Sequence, residues 1–184
     1  MSNSKEVKID VIKPFGYMIF RAKIPNNIVE KINLLCDSVI SEKKRYWGSN
    51  LAGKIQNEWL VSDHMEDELK KFFCNIADAY IKNCQAQGRN FDPYGSNQGI
   101  TSAWMNEMKK FEYNPVHCHT HCLLSSVLFL KVPDFESNPI IPPVPDKIFC
   151  DGYLEFINTS FFPGTGDAGN KLIKPEVGDF YIFP

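Results

Sequence analysis

The stretch ITSAWMNEMK, residues 100–109, marks the point where the chain changes from helical to extended patterning. Ile100, Ser102, Trp104, Asn106 and Met108 alternate with the residues between them, which is the two-residue period of a β-strand. Short runs rich in apolar and β-branched residues continue to the C-terminus. They predict further strands over 116–122, 124–132, 153–158, 171–173 and 180–183. A loop is predicted over 133–150, which holds five of the twelve prolines.

The residues before this stretch predict two strands and two helices. Residues 7–12 and 17–24 have strand composition and flank the turn signal Pro14-Phe15-Gly16. Apolar residues at helical spacing from Ile28 to Ile40 follow Pro25-Asn26-Asn27 and predict the first helix. The second helix is predicted to start near Asp63, with Glu66 completing a capping box, and to stop at Gly88.

Helices followed by many short strands predict an α+β protein built on an all-β sandwich or barrel. We expect the helices to cover the outer face of one sheet. A chain of 184 residues suits one domain. The prediction is a single domain over 1–184, with N-terminal strands and supporting helices over 1–99 and the β-core over 100–184.

Composition excludes several classes of protein. The net charge of −2 gives no broad positive field for nucleic acid or anionic lipid. No apolar run approaches the roughly 20 residues of a membrane span, and the N-terminus lacks the apolar core of a signal peptide. The sequence therefore predicts a cytoplasmic protein with no membrane partner, for which nucleic acid is the least favoured substrate, and homo-oligomerisation stays open.

The six cysteines are predicted to be reduced and mostly structural. Disulfide frameworks are typical of short secreted chains without a sufficient core, and this chain is longer than those. Cys36 and Cys74 lie within apolar helical patterns, where a thiol acts as a small core residue.

Three of the four histidines lie within five residues, in the segment NPVHCHTHC over 114–122. On a strand, His117, His119 and His121 would share one face, while Cys118 and Cys122 would face the opposite way. Neighbouring imidazoles on one face can converge on one ion, and neutral imidazole suits iron, copper, nickel and zinc. The alternatives are a polar surface stripe, hydrogen-bonded core histidines, and a structural zinc site that uses the two cysteines. Structural zinc needs four ligands, commonly in two pairs, and the sequence offers one cysteine pair.

Several segments together resemble one known family, the iron- and 2-oxoglutarate-dependent oxygenases. The resemblance is closest to small members carried by marine phages and bacteria, and it covers nearly the whole chain. The matching segments are SAWMN at 102–106, NPVHCH at 114–119, LSSVLFLKVP at 124–133, GYLEF at 152–156 and PEVGDFYIFP at 175–184.

The resemblance implies a double-stranded β-helix, which is a jelly-roll or cupin-like barrel, holding one Fe(II) with 2-oxoglutarate as cosubstrate. His117 falls on the first position of the family's His-x-Asp/Glu ligand pair. His119 falls where the carboxylate usually stands, which departs from the family pattern, and His121 is the alternate ligand. The family's distal ligand His, and the Arg that clamps 2-oxoglutarate, have no counterpart up to Pro184. We therefore expect the 184 residues to be a truncated form.

The resemblance also suggests residues that would contact the cosubstrate. Asn106, Tyr113 and Ser125 are candidates for binding 2-oxoglutarate, with strand filler and barrel packing as their alternatives. The function implied is a dioxygenase that hydroxylates an unknown substrate. Two alternatives remain: a non-catalytic jelly-roll binding module, and a cupin-like metalloprotein that does not use 2-oxoglutarate.

Overall fold

A computed structural model describes residues 7–12, 18–87, 99–134, 150–158 and 169–184. The chain divides into two compact units, one of residues 1–25 and 126–184 and the other of residues 26–125. The single domain over 1–184 stays a prediction. The turn at 14–16, the helix stop at Gly88 and nearly all of the loop over 133–150 lie outside the described residues.

The described part of the chain is α+β. Its helices are α1 (Asn26–Ser41) and α2 (Asp67–Ala86). Its strands are β1 (Ile9–Ile12), β2 (Ile19–Lys23), β3 (Asn57–Leu60), β4 (Trp104–Glu107), β5 (Ser125–Leu128), β6 (Leu154–Ile157), β7 (Asn170–Ile173) and β8 (Asp179–Phe183). These strands form one four-stranded sheet and two two-stranded sheets, and within the described ranges no barrel closes. Neither described helix is long and apolar enough to cross a membrane.

The first unit is organised by a sheet in the order β1-β2-β8-β5. Strands β2 and β8 are antiparallel, with Phe20 opposite Ile182 and Ala22 opposite Phe180. All four of these side chains are buried. The pairing joins residues about 160 positions apart. The strands predicted near the two ends of the chain therefore belong to one sheet.

A buried carboxylate fixes the start of β8. The Asp179 side chain is fully buried, and Arg21 Nη2 donates to both of its oxygens at 3.2 Å. Lys23 Nζ donates to Asp179 Oδ1 at 3.1 Å, and the backbone N–H of Glu176 donates to Oδ2 at 3.1 Å. Buried carboxylates are stable when paired and hydrogen-bonded in this way. Asp179 therefore anchors β8 to the two basic residues of β2.

Two helices belong to the second unit. Helix α1 buries Val29, Ile32, Cys36 and Val39 along one face and packs on β3. This confirms the helix predicted after Pro25. Cys36 is a small core residue as expected, whereas Cys74 in α2 is half-buried.

The predicted start of α2 at Asp63 is wrong by four residues. Residues Ser62–His64 form a short 3-10 turn, Met65 is extended, and α2 begins at Asp67 with no side-chain cap. The backbone N–H groups of Val61 and Ser62 both donate to the Ala103 carbonyl, at 2.8 and 3.0 Å. These hydrogen bonds hold residues 61 and 62 outside the α-helix. The capping box predicted from Asp63 and Glu66 therefore does not start the helix.

The β3–β4 ribbon holds the second unit together and positions Trp104. Glu58 lies opposite Asn106 and Leu60 lies opposite Trp104. Sequence patterning missed β3 altogether, and it overestimated the length of β4 and β5, which were predicted as parts of 100–109 and 124–132.

Candidate metal-binding site

The segment with the three histidines is not a strand, which corrects the prediction over 116–122. Residues 114–124 form an irregular loop. Pro115 has no backbone N–H for a sheet ladder, and His121 adopts the left-handed region with φ of 61°. Consequently the three imidazoles do not share one strand face. Cys118 and Cys122 are both exposed, so the prediction that Cys118 points away from the histidines into packing is wrong.

The loop nevertheless brings His117 and His119 together. Their ring centroids are 4.9 Å apart, and the two Nε2 atoms are 3.2 Å apart. His117 Nδ1 lies 2.7 Å from the Pro115 carbonyl oxygen. Because a carbonyl only accepts, Nδ1 carries the proton. In the neutral ring, Nε2 then accepts a hydrogen bond from His119 Nε2–H at 3.2 Å, and a bound ion would displace that proton. A backbone carbonyl that fixes the tautomer in this way is the usual outer support of a metal-bound histidine.

Trp104 supports the other imidazole. Its ring stacks on His119 with centroids 6.0 Å apart and planes 20° from parallel. Although His119 is exposed overall, partial desolvation is the main effect that lowers its pKa below 6.5, and the neighbouring His117 lowers it further. A lowered pKa favours neutral imidazole, which is the form that binds metals.

The distance between the two Nε2 atoms fits two ligands of one ion. Metal–imidazole bonds are about 2.0–2.1 Å long, so two ligands on one ion lie about 3.0 Å apart at a right angle and about 3.4 Å apart at a tetrahedral angle. The observed 3.2 Å falls between these values. The pair is half of a site, however, because the described residues contain no group of three or more His, Cys, Asp or Glu able to hold a metal. Further ligands would be water, cosubstrate or residues outside the described ranges.

The other predicted site residues, Asn106, Tyr113 and Ser125, have their own surroundings in the second unit. Tyr113 forms an isolated bridge with Lys54, whose Nζ lies 5.8 Å from its ring centroid. Ser125 is buried with its hydroxyl 3.4 Å from Cys122 Sγ. Asn106 is exposed on β4, on the same ribbon face as Trp104 because two residues separate them.

Sequence patterning named the two histidines but missed their supports. The contact of the Pro115 carbonyl with His117 Nδ1 has no sequence signal, because every residue two positions before a histidine carries such an acceptor. The stacking of Trp104 on His119 joins residues 15 apart and has no local signal. Chemically, the arrangement offers two oriented imidazole nitrogens, 3.2 Å apart, at a solvent-accessible position. No known protein family, curated protein or solved structure matches this chain.

Proposed function

We propose that this protein is an Fe(II)- and 2-oxoglutarate-dependent dioxygenase acting on an unknown substrate, with His117 and His119 as two of the iron ligands. The observation that carries the proposal is the 3.2 Å separation of the two Nε2 atoms. The resembling segments between 102 and 184 follow one another in the same order as in this family. That resemblance is the reason for proposing Fe(II) and 2-oxoglutarate among the possible metal chemistries. Bound iron would supply the activation of oxygen that protein side chains cannot provide.

The chain's own residues would prepare and protect the iron position. The Pro115 carbonyl holds His117 in the tautomer whose Nε2 is free to donate a lone pair. Trp104 covers one face of His119 and keeps that imidazole in contact with an apolar ring. Together they orient two donors before an ion arrives, which lowers the ordering cost of binding.

The fold that we propose is the double-stranded β-helix. Support comes from the antiparallel β2–β8 pair, which brings the two ends of the chain into one sheet. Jelly rolls pair strands that are distant in sequence in this manner.

The proposal is tested by an anaerobic titration of the protein with Fe(II) and 2-oxoglutarate. We expect a weak visible charge-transfer band to appear with stoichiometric iron binding. H117A and H119A should each abolish the band, because a single remaining imidazole loses the chelate. H64A is the matched control, since His64 is exposed in the 3-10 turn before α2 and should leave the band unchanged.

The outcomes separate the ligand sets. Loss of the band in H121A with H119A unaffected would assign the second ligand to His121. Metal binding that is indifferent to 2-oxoglutarate would support the cupin-like alternative. No iron binding by the wild-type protein would overturn the proposal and leave the non-catalytic module.

A second candidate is a structural zinc site that includes the cysteines. Cys118 and Cys122 are exposed on the same irregular loop as the histidine pair, so strand alternation no longer separates them. The described residues do not bring three of these ligands together, so a zinc site here would require the loop to rearrange when zinc binds. C118S discriminates between the candidates. Retained metal with a modest change in stability supports the iron site, and loss of stoichiometric Zn²⁺ supports the zinc site.

A further inference from the structure

Glu58 of β3 carries a buried carboxylate. Its side chain is only 1% exposed, and its Oε1 atom is buried with no hydrogen-bond partner among the described residues. A buried, unpaired carboxylate is costly in its ionised form. The free-energy cost of burying Glu58 therefore depends on whether a proton or a positive charge neutralises its carboxylate.

Two glycines enclose the carboxylate from the loop over 48–53. A Cβ atom at Gly48 would lie 2.8 Å from Glu58 Oε2, and one at Gly53 would lie 2.9 Å from Oε1. The Tyr46 hydroxyl closes the same space, since the Cβ of a residue at 48 would overlap it. The loop thus approaches both carboxylate oxygens closely. A proton is the one positive charge that needs no additional room there.

The charges around Glu58 also favour a proton. Glu112 is the nearby charged group that acts on it, and this like charge adds to burial in raising the pKa of Glu58 above 4.5. The basic residues of the adjoining segments have other contacts. Arg45 lies 3.6 Å from Asp63, Lys54 lies over the Tyr113 ring and Lys109 lies 3.9 Å from Glu107.

We propose that Glu58 is a proton-binding site that closes the loop over 48–53, and that loss of the proton opens this loop. In the protonated form the carboxylic acid fits between the two glycines without a counter-ion. In the ionised form it must reach water, and the backbone that covers it is the loop. The inference does not rest on the proposed iron site.

The test is amide hydrogen exchange of the whole protein from about pH 5 to about pH 8, corrected for intrinsic exchange rates. We expect the protection of residues 48–54 to fall as the pH rises. Below the pKa of Glu58 the ionised fraction of its side chain grows about tenfold per pH unit, so protection should fall by about the same factor. Protection of α2 reports global stability and should change less. E58Q, which keeps the shape without the charge, should make protection of the loop independent of pH.

E112Q is the second variant, and it removes the charge that faces Glu58. Its amide oxygen can still accept from the Gln56 backbone N–H, as Glu112 Oε1 does at 3.0 Å, while the bond from the Lys109 N–H to Oε2 is lost. Removing this like charge should move the loop transition to lower pH. If E58Q fails to fold, carbon NMR of the wild-type glutamate carboxyls still decides, because Glu58 should titrate above the exposed glutamates. Titration of Glu58 together with the exposed glutamates, or equal pH dependence of loop protection in wild type and E58Q, would overturn the proposal.

Discussion

Replacing Asp179 with asparagine should destabilise the protein by about 2–3 kcal/mol. The substitution keeps the shape but removes the charge that accepts from Arg21 at 3.2 Å and from Lys23 at 3.1 Å. Charge-assisted hydrogen bonds contribute about 1.5–3 kcal/mol each. The basic side chains are 37% and 50% exposed, so water recovers part of the loss when the carboxylate is gone. We therefore expect the loss in unfolding free energy to be close to that of one charge-assisted hydrogen bond and not of two.

Urea unfolding followed by circular dichroism measures the effect, with the slope m expected to stay unchanged. Glu176→Gln is the matched control, because Glu176 also pairs with Lys23, at 3.0 Å, but is 68% exposed. An exposed pair of this kind contributes less than about 1 kcal/mol. Equal destabilisation by the two variants, or no destabilisation by D179N, would refute the view that the buried carboxylate anchors β8.

Three more outcomes test the packing and the backbone of the fold. Leu69→Ala removes a buried side chain of α2 and should cost about 2–5 kcal/mol in thermal or urea unfolding, whereas Leu34→Ala on the exposed side of α1 should cost little. Gly178→Ala places a side chain where φ is 84° and should cost about 1–2 kcal/mol, and equal stability would show that the turn relaxes. Burial, with Asp179 nearby, raises the pKa of Tyr181 from 10.0 to about 12, so the free energy of unfolding should fall as pH rises between these values. Tyr181→Phe should flatten that decline, and an unchanged slope would assign it to other groups.

Elements with a strong local pattern were predictable from the sequence. Helix α1, with its buried face, and the short strands β6, β7 and β8 are confirmed close to their predicted positions. The start of α2 was misplaced because hydrogen bonds to Ala103, about 40 residues away, fix the preceding segment. Strand β3 was missed because its two buried residues at alternate positions, Glu58 and Leu60, include a carboxylate that patterning assigns to the surface.

The histidine loop brings His117 and His119 together through a backbone conformation that differs from the predicted strand. The strand hypothesis places alternate residues about 6.5–7 Å apart along one face. Backbone turning in the loop instead lets the rings of His117 and His119 approach to 4.9 Å, closer than the spacing of a straight strand. The loop conformation, and not the strand period, therefore brings the two rings together, and metal binding by them stays a prediction. The loop also makes the pair depend on nonlocal support, because Trp104 comes from β4. We infer that the stability of the β3–β4 ribbon limits how rigidly the second imidazole is held.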